Sequence, residues 1–353
     1  MTGHANFPDA RRRAGVITST GELIGLVPLM LGFRPVNSLV LVAHSGVTVS
    51  GLIRTDLPGS DGVHEFVAQL RDALVTGGAR SVTVLMVRGD TTAQQARHNS
   101  VPARALIDAL NAVLPSAEIT IRHCVSAPTT ETGAPWHCHD LCQCHGTVPA
   151  LDSSPVAASL IASGATASGS REQLAATLAA DPDEHLQRRI AMLNCAQSPA
   201  ARMSTASPER GYRTVREAVA AAATHPALPT FTDEQIVDLA LALSHPGVRD
   251  RCLTASLPTS DAGAEAERAD AAQRLWTVLT RAVPGPARAE PATLLAAHAY
   301  LRGDGVLASI ALEIAQDANP AHALAHLLNL AIQKGIPPTQ LRRLLVSAVT
   351  THP

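Results

Sequence analysis

Aromatic side chains are scarce in this sequence, with two tryptophans, two tyrosines and four phenylalanines among 353 residues. Aliphatic and small side chains must therefore fill the core, and the abundant alanine suits closely packed helices. Lysine occurs once, at Lys334, and nearly all positive charge is arginine. A GC-rich genome accounts for that bias better than any chemistry does. The formal net charge is only −2, so the whole chain carries no electrostatic footprint for nucleic acid. No stretch reaches the roughly 18 consecutive apolar residues of a membrane-spanning helix. Arg11–Arg13 ahead of the apolar segment Leu23–Leu31 imitate a signal peptide. Glu22 and Pro28 interrupt or flank that segment, however, and no small-x-small cleavage site follows. The expectation is a cytoplasmic protein whose six cysteines stay reduced and form no disulfide framework.

Two enzyme signatures are also missing. Gly21-x3-Gly25 and Gly77-Gly78 lack the Lys-Ser/Thr or third glycine of a phosphate loop, and no G-x-S-x-G nucleophile elbow appears.

What is present is a change of pattern along the chain. Met1–Arg13 is polar and unpatterned, as a frayed tail is. A helix capped by Thr18 or Ser19 runs to Leu31, with Gly32 and Pro35 as stops. Ser38–Ala43 is a continuous apolar run, as in a strand buried on both faces, and Ser45-Gly46 turns it into a second strand over Val47–Leu57. A helix over Asp61–Val75, a strand over Ser81–Val87, a helix over Pro102–Leu114 and a strand over Glu118–Ser126 follow. Strand–helix–strand units make right-handed parallel connections, so the second, third and fourth strands run together and the first runs against them. Pro, Gly, Ser and Thr dominate from about Ala127 to Ser170, apart from a short helix near Val156–Ser163. Beyond Arg171 every segment reads as helix, including Thr232–Leu243 with its Thr232-Asp233-Glu234-Gln235 capping box. The predicted architecture is an α/β part of about four strands in a mixed, mostly parallel sheet, followed by an all-helical C-terminal half. Its divisions are an α/β domain at 14–126, a Cys/His-containing elaborated loop at 127–170 and a helical region at 171–353. Ala308, Ala315 and Pro320 fall where a tetratricopeptide-like helix pair near 291–334 places small residues and a closing proline. One unit is too few for a solenoid.

The densest chemistry is Trp136-His137-Cys138-His139-Asp140-Leu141-Cys142-Gln143-Cys144-His145, with His123 and Cys124 just upstream. Thiolate and imidazole together suit zinc, and Cys138, Cys142, Cys144 and His145 make one set of four ligands, in which Cys124 or His123 can replace a member. The spacing is not that of a standard knuckle, and Cys142-x-Cys144 is tight for one tetrahedral ion. Thiols without a metal, and a redox-active Cys142–Cys144 pair, are the other readings.

A second candidate lies at the carboxyl ends of the strands, where open α/β sheets bind ligands. Arg54 and Asp56 share a strand face by the two-residue period, and Arg88 and Asp90 follow the third strand. Arginines there can hold an anion, and the carboxylates can serve as base or metal ligand. Turn capping and surface ion pairing explain the same residues without any ligand. His322 and His326 share a helical face without the acidic neighbour of a zincin.

Leu26-Val27-Pro28-Leu29-Met30-Leu31-Gly32-Phe33-Arg34-Pro35-Val36-Asn37-Ser38-Leu39-Val40-Leu41-Val42, followed by Arg54-Thr55-Asp56-Leu57-Pro58, resembles the hallmark of a large actinobacterial family known only as a domain of unknown function. Trp136, Cys138, Cys142, Cys144 and Gly146 look like that family's middle element, with Gln143 interposed and His145 where a proline is commoner. Leu294–Ala296 through Gly303–Gly305 to Leu324–Leu328 look like its C-terminal part. The resemblance implies an intracellular actinobacterial protein and implies no activity.

With no complete catalytic constellation, the expected function is non-enzymatic binding of a protein or small-molecule partner in a regulatory role. The alternatives are an enzyme at the sheet edge using Asp56 or Asp90 with Arg54 or Arg88, and a metal or redox sensor using the Cys138–Cys144 cluster.

Overall fold

The computed structural model describes residues 3–6, 17–46, 48–59, 62–89, 102–140, 142–162, 170–196, 207–224, 228–255 and 264–350. Two compact units emerge. The first comprises Met1–Leu174 with Arg302–Val306 and Ala331–Pro338, and the second Ala175–Leu301 with Leu307–Leu330 and Thr339–Pro353.

The first unit is built on a seven-stranded sheet in the order β1-β3-β2-β4-β5-β6-β7. Six strands come from β2 (Ser38–Ser45), β3 (Thr48–Asp56), β4 (Ser81–Val87), β5 (Thr120–Ala127), β6 (Pro135–Cys138) and β7 (His145–Thr147). The short edge strand β1 (Gly3–Asn6) pairs with β3, within the segment that the sequence pattern left as a frayed tail. Four strands were therefore too few. A mostly parallel sheet is also corrected, because β4 with β5 is the single parallel pair and every other pairing is antiparallel. The strand directions do follow expectation. What patterning could not give is adjacency: β2 inserts between β3 and β4 and pairs antiparallel with both.

That insertion explains why β2 and β4 read as unbroken apolar runs. A strand at the centre of a sheet covered on both faces has no solvent side to alternate with. Leu39, Val40, Leu41 and Val42 of β2 are fully buried, as are Val82, Val84, Met86 and Val87 of β4. One face packs on α2 (Val63–Thr76) and α3 (Ala103–Val113), where Val67, Leu70, Leu106 and Leu110 meet Leu39, Leu41, Val82 and Val84. The helix α1 (Thr20–Leu31) is buried on nearly every side. Ser19 caps it by accepting the Glu22 backbone N–H, and Gly32 ends it at φ 80°. Gly21 allows the close approach of β7, since a Cβ there would lie 2.9 Å from the Thr147 carbonyl oxygen. A short helix, α4 (Pro155–Ala162), follows the sheet, and its preceding Ser154 donates to the buried Glu22 carboxylate at 2.8 Å.

The remaining helices are α5 (Arg171–Ala176), α6 (Asp183–Ala196), α7 (Pro208–Ala223), α8 (Asp233–Leu243), α9 (Pro246–Ala255), α10 (Ala264–Ala282), α11 (Ala289–Leu301), α12 (Gly305–Ala318), α13 (Ala323–Gln333) and α14 (Pro338–Thr350). Sequence patterning missed α9, which opens on Pro246-Gly247 directly after α8. The capping box of α8 forms as read, with Thr232 and Gln235 exchanging side-chain and backbone bonds. In the second unit Arg189 is 5% exposed and joins three segments. It donates to Asp233 at 2.7 Å, Asp181 at 2.8 Å and the Ala282 carbonyl at 2.9 Å. Breaking one partner of a buried pair strands the others, so Arg189→Leu is expected to lower stability by about 3 kcal/mol in urea unfolding.

His44, at the end of β2, is 7% exposed and shares a 2.9 Å hydrogen bond with Thr83. Burial, and secondarily the charge of Arg122, lowers its pKa from 6.5 to about 4. The unfolded chain then binds the extra proton first, so this contribution is complete above about 6.5 and is lost as pH falls toward 4. Melting followed across that window should show a loss of roughly 2–3 kcal/mol at this site, and His44→Gln should flatten it.

Candidate metal centre

β5 and β6 build the centre. The pairing of β4 with β5 shifts register after Val82, so His123 lies opposite Thr83 and Cys124 opposite Val84. Successive residues point to opposite faces. Cys124 consequently enters the apolar cluster under α2 and α3, where burial pushes its thiol up to about 12. His123 takes the other face. Cys138, paired with Val125, ends β6 on that same face. The intervening loop then folds back. Gln143 N–H donates to the Asp140 carbonyl at 3.0 Å, Gln143 adopts φ 47°, and the Cys144 carbonyl accepts the Cys138 N–H at 2.7 Å. This return brings Cys142 over Cys138.

One ligand atom from each of His123, Cys138 and Cys142 lies within 4.8 Å of the others. The imidazole Nδ1 is 3.8 Å from the Cys138 sulfur. Two sulfurs and one nitrogen at such spacing form most of a tetrahedral thiolate–imidazole shell. Cys138 and Cys142 belong to the predicted ligand set, and His123 is the member that strand pairing supplies. Cys144 is exposed, its thiol lies 3.8 Å from the Cys142 carbonyl oxygen, and its donors lower the Cys142 pKa. His145 starts β7, and its Nδ1 lies 3.3 Å from the Gln143 carbonyl.

Asp140 organises the cluster. One of its oxygens accepts the Cys124 backbone N–H at 2.8 Å and stands 3.1 Å from the Cys138 sulfur. Burial, together with that carboxylate, pushes the Cys138 thiol up to about 12, so as a thiol it donates to Asp140. A bound divalent cation reverses this balance, because coordination removes the thiol proton outright. On the opposite face of β6, His137 and His139 stack edge-on at 4.7 Å and both reach the Ser126 hydroxyl.

The sheet-edge residues sit elsewhere. Arg54 and Asp56 share a face as expected, but they pair with each other at 2.7 Å. Arg54 also donates to Ser38 at 2.9 Å and lies 5.7 Å from the centre of the Phe33 ring. Its engagements are thus internal. Register places Arg54 in one row with Val40, Leu85, Val125 and Cys138. Four strand spacings separate the two ends of that row, about 19 Å. Arg88 is near enough to His139 to lower its pKa, behind burial and His137. Asp90 lies outside the described residues. In the second unit His322 has an acidic neighbour that sequence spacing missed, with Glu290 of α11 lying 3.2 Å from its Nε2. Its Nδ1 accepts the Ala325 N–H at 3.1 Å and so caps α13.

Asp140→Ala removes the acceptor from a backbone N–H on a buried strand. With a chelator present, it should cost about 1–3 kcal/mol in urea unfolding, independently of any metal.

Comparison with known proteins gives a family match. No curated protein and no solved structure matches the chain. Among the described residues, no helix is long and apolar enough to cross a membrane. The matching family model covers residues 21–339, and so takes in β2 to β7 of the sheet, the cysteine loop and nearly all the helices. The chain belongs to the family described as Domain of unknown function (DUF4192).

Proposed function

We propose that this protein is a non-enzymatic, zinc-dependent binding protein of the actinobacterial cytoplasm. His123, Cys138, Cys142 and Cys144 hold the ion, and Asp140 orients the shell from behind. The observation that carries this reading is the convergence of His123, Cys138 and Cys142 ligand atoms within 4.8 Å. Ligands drawn from two strands and a loop gain chelation only once the sheet has formed, so metal affinity becomes folding free energy. The β6–β7 hairpin is short, and an isolated hairpin of that size is marginal in water. An ion bound across it would fix the hairpin on β5 and present its surface to a protein or small-molecule partner. The engagement of Arg54 by Ser38 and Asp56 supports binding over sheet-edge catalysis.

A sensor is the second reading, favoured by the exposure of Cys142 and Cys144 and by the lowered pKa of Cys142. Low-pKa, accessible thiols are the ones that oxidise.

Elemental analysis of the reduced protein should find about one zinc per chain, and none in Cys138→Ser/Cys142→Ser. If that variant also melts at lower temperature, the site is structural. Metal loss with an unchanged melt assigns the site to sensing. Equal metal content in both proteins would remove the centre.

A further inference from the structure

We propose that a cavity in the second unit, between α7, α9 and α10, is a binding site for a small amphiphilic anion: an apolar chain or ring carrying one carboxylate-type head. The cavity has a volume of about 610 Å³, within the roughly 300–1,000 Å³ range of small-molecule sites. Its wall is apolar. Tyr212, Val215 and Val219 recur on α7 at helical spacing, facing Cys252 of α9 and Trp276 of α10. Trp276 is 0% exposed, the largest fully buried side chain among the described residues. Cys252 is 3% exposed, and burial keeps it an uncharged thiol. The Tyr212 ring is held in place by Arg251, stacked at 4.0 Å and itself paired with Glu209 at 2.8 Å. This wall is therefore set before any ligand arrives, which lowers the ordering cost of binding.

Two further observations give the ligand its chemistry. The Trp276 indole N–H is buried and has no hydrogen-bond partner. Such donors are rare, because leaving one unpaired costs about 1–3 kcal/mol. Trp276 lines the same cavity, so this unpaired donor belongs to its wall. Arg216 and Arg268 also line the cavity, both are exposed, and among the described residues neither has an ion-pair partner. Among the described residues Glu267 is the one carboxylate in the lining against two arginines, so this part of the rim is net positive. Guanidinium groups free of internal partners are suited to a carboxylate head. An apolar wall, a buried unpaired donor and a cationic rim together select an amphiphilic anion over a neutral lipid or a cation.

The test uses the full chain with Trp136→Phe, which leaves Trp276 as the sole tryptophan. Anilinonaphthalene sulfonate, an apolar body with one sulfonate, is the probe, and energy transfer from Trp276 reports its position. Saturable transfer at one equivalent is expected, reversed by decanoate and not by decylammonium. Arg216→Glu/Arg268→Glu should weaken binding by at least about tenfold, and Val219→Phe/Ala223→Phe, which fills the cavity, should abolish it. Both variants alter partly or fully exposed positions and should keep the parent melting temperature. The proposal fails if transfer is absent, or if several equivalents bind with equal affinity in both double variants, as on exposed apolar surface. Displacement by decylammonium as effective as by decanoate would overturn the anionic head.

Discussion

Two-sided burial of β2 and β4 is the constraint on which the first unit depends. Neither strand offers a polar face, so each needs a neighbour on both edges and cover on both faces. β2 satisfies this by pairing with β3 and with β4, and β4 by pairing with β2 and β5. The consequence reaches the candidate sites. Placing β2 inside pushes β3 outward with Arg54 and Asp56, and leaves β5 free to recruit β6. The ion pair and the cysteine centre are thus held apart by the same packing that makes the core.

At the centre, backbone bonds do the positioning and side chains supply the chemistry. The return of the loop rests on the turn from Asp140 to Gln143 and on the Cys138–Cys144 backbone bond. Asp140 then serves two needs, satisfying a strand N–H and facing a thiol. A carboxylate beside a buried thiol raises the thiol's pKa, which disfavours free thiolate. Beside a cation, the same carboxylate would stabilise the bound ion as outer-shell partners do. The arrangement therefore suits ligand sulfur better than a free nucleophile.

The second unit solves a different problem. With so few aromatics, its helices pack through alanine and leucine, and α11 is buried along its whole length. Polar joints then fix the helix ends: Arg189 across Asp181, Asp233 and Ala282, and Arg288 onto the Thr280 and Leu178 carbonyls. Trp276 is the largest side chain in this packing, and its ring is too big for neighbouring alanines to match closely. A cavity beside it is the expected result of such a mismatch.

The sequence by itself determined most of the helices, the central strands and the direction in which those strands run. These rest on local signals: the Ser19 and Thr232 caps, the Gly32 stop and the unbroken runs of β2 and β4. It also located the cysteine cluster by composition. Tertiary structure alone decided the rest, because adjacency between segments leaves no periodic trace. Nothing in the pattern of Ser38–Ala43 says that it lies between β3 and β4. β6 and β7 are too short to show alternation, and β1 draws its order from pairing with β3. His123 came to lie beside Cys138 and Cys142, and Cys124 became a core residue, through a one-residue register shift that flips side chains between faces. Glu290 reached His322 across 32 positions of sequence, and the Trp276 cavity arose from three helices meeting, because burial and reach are properties of the folded chain.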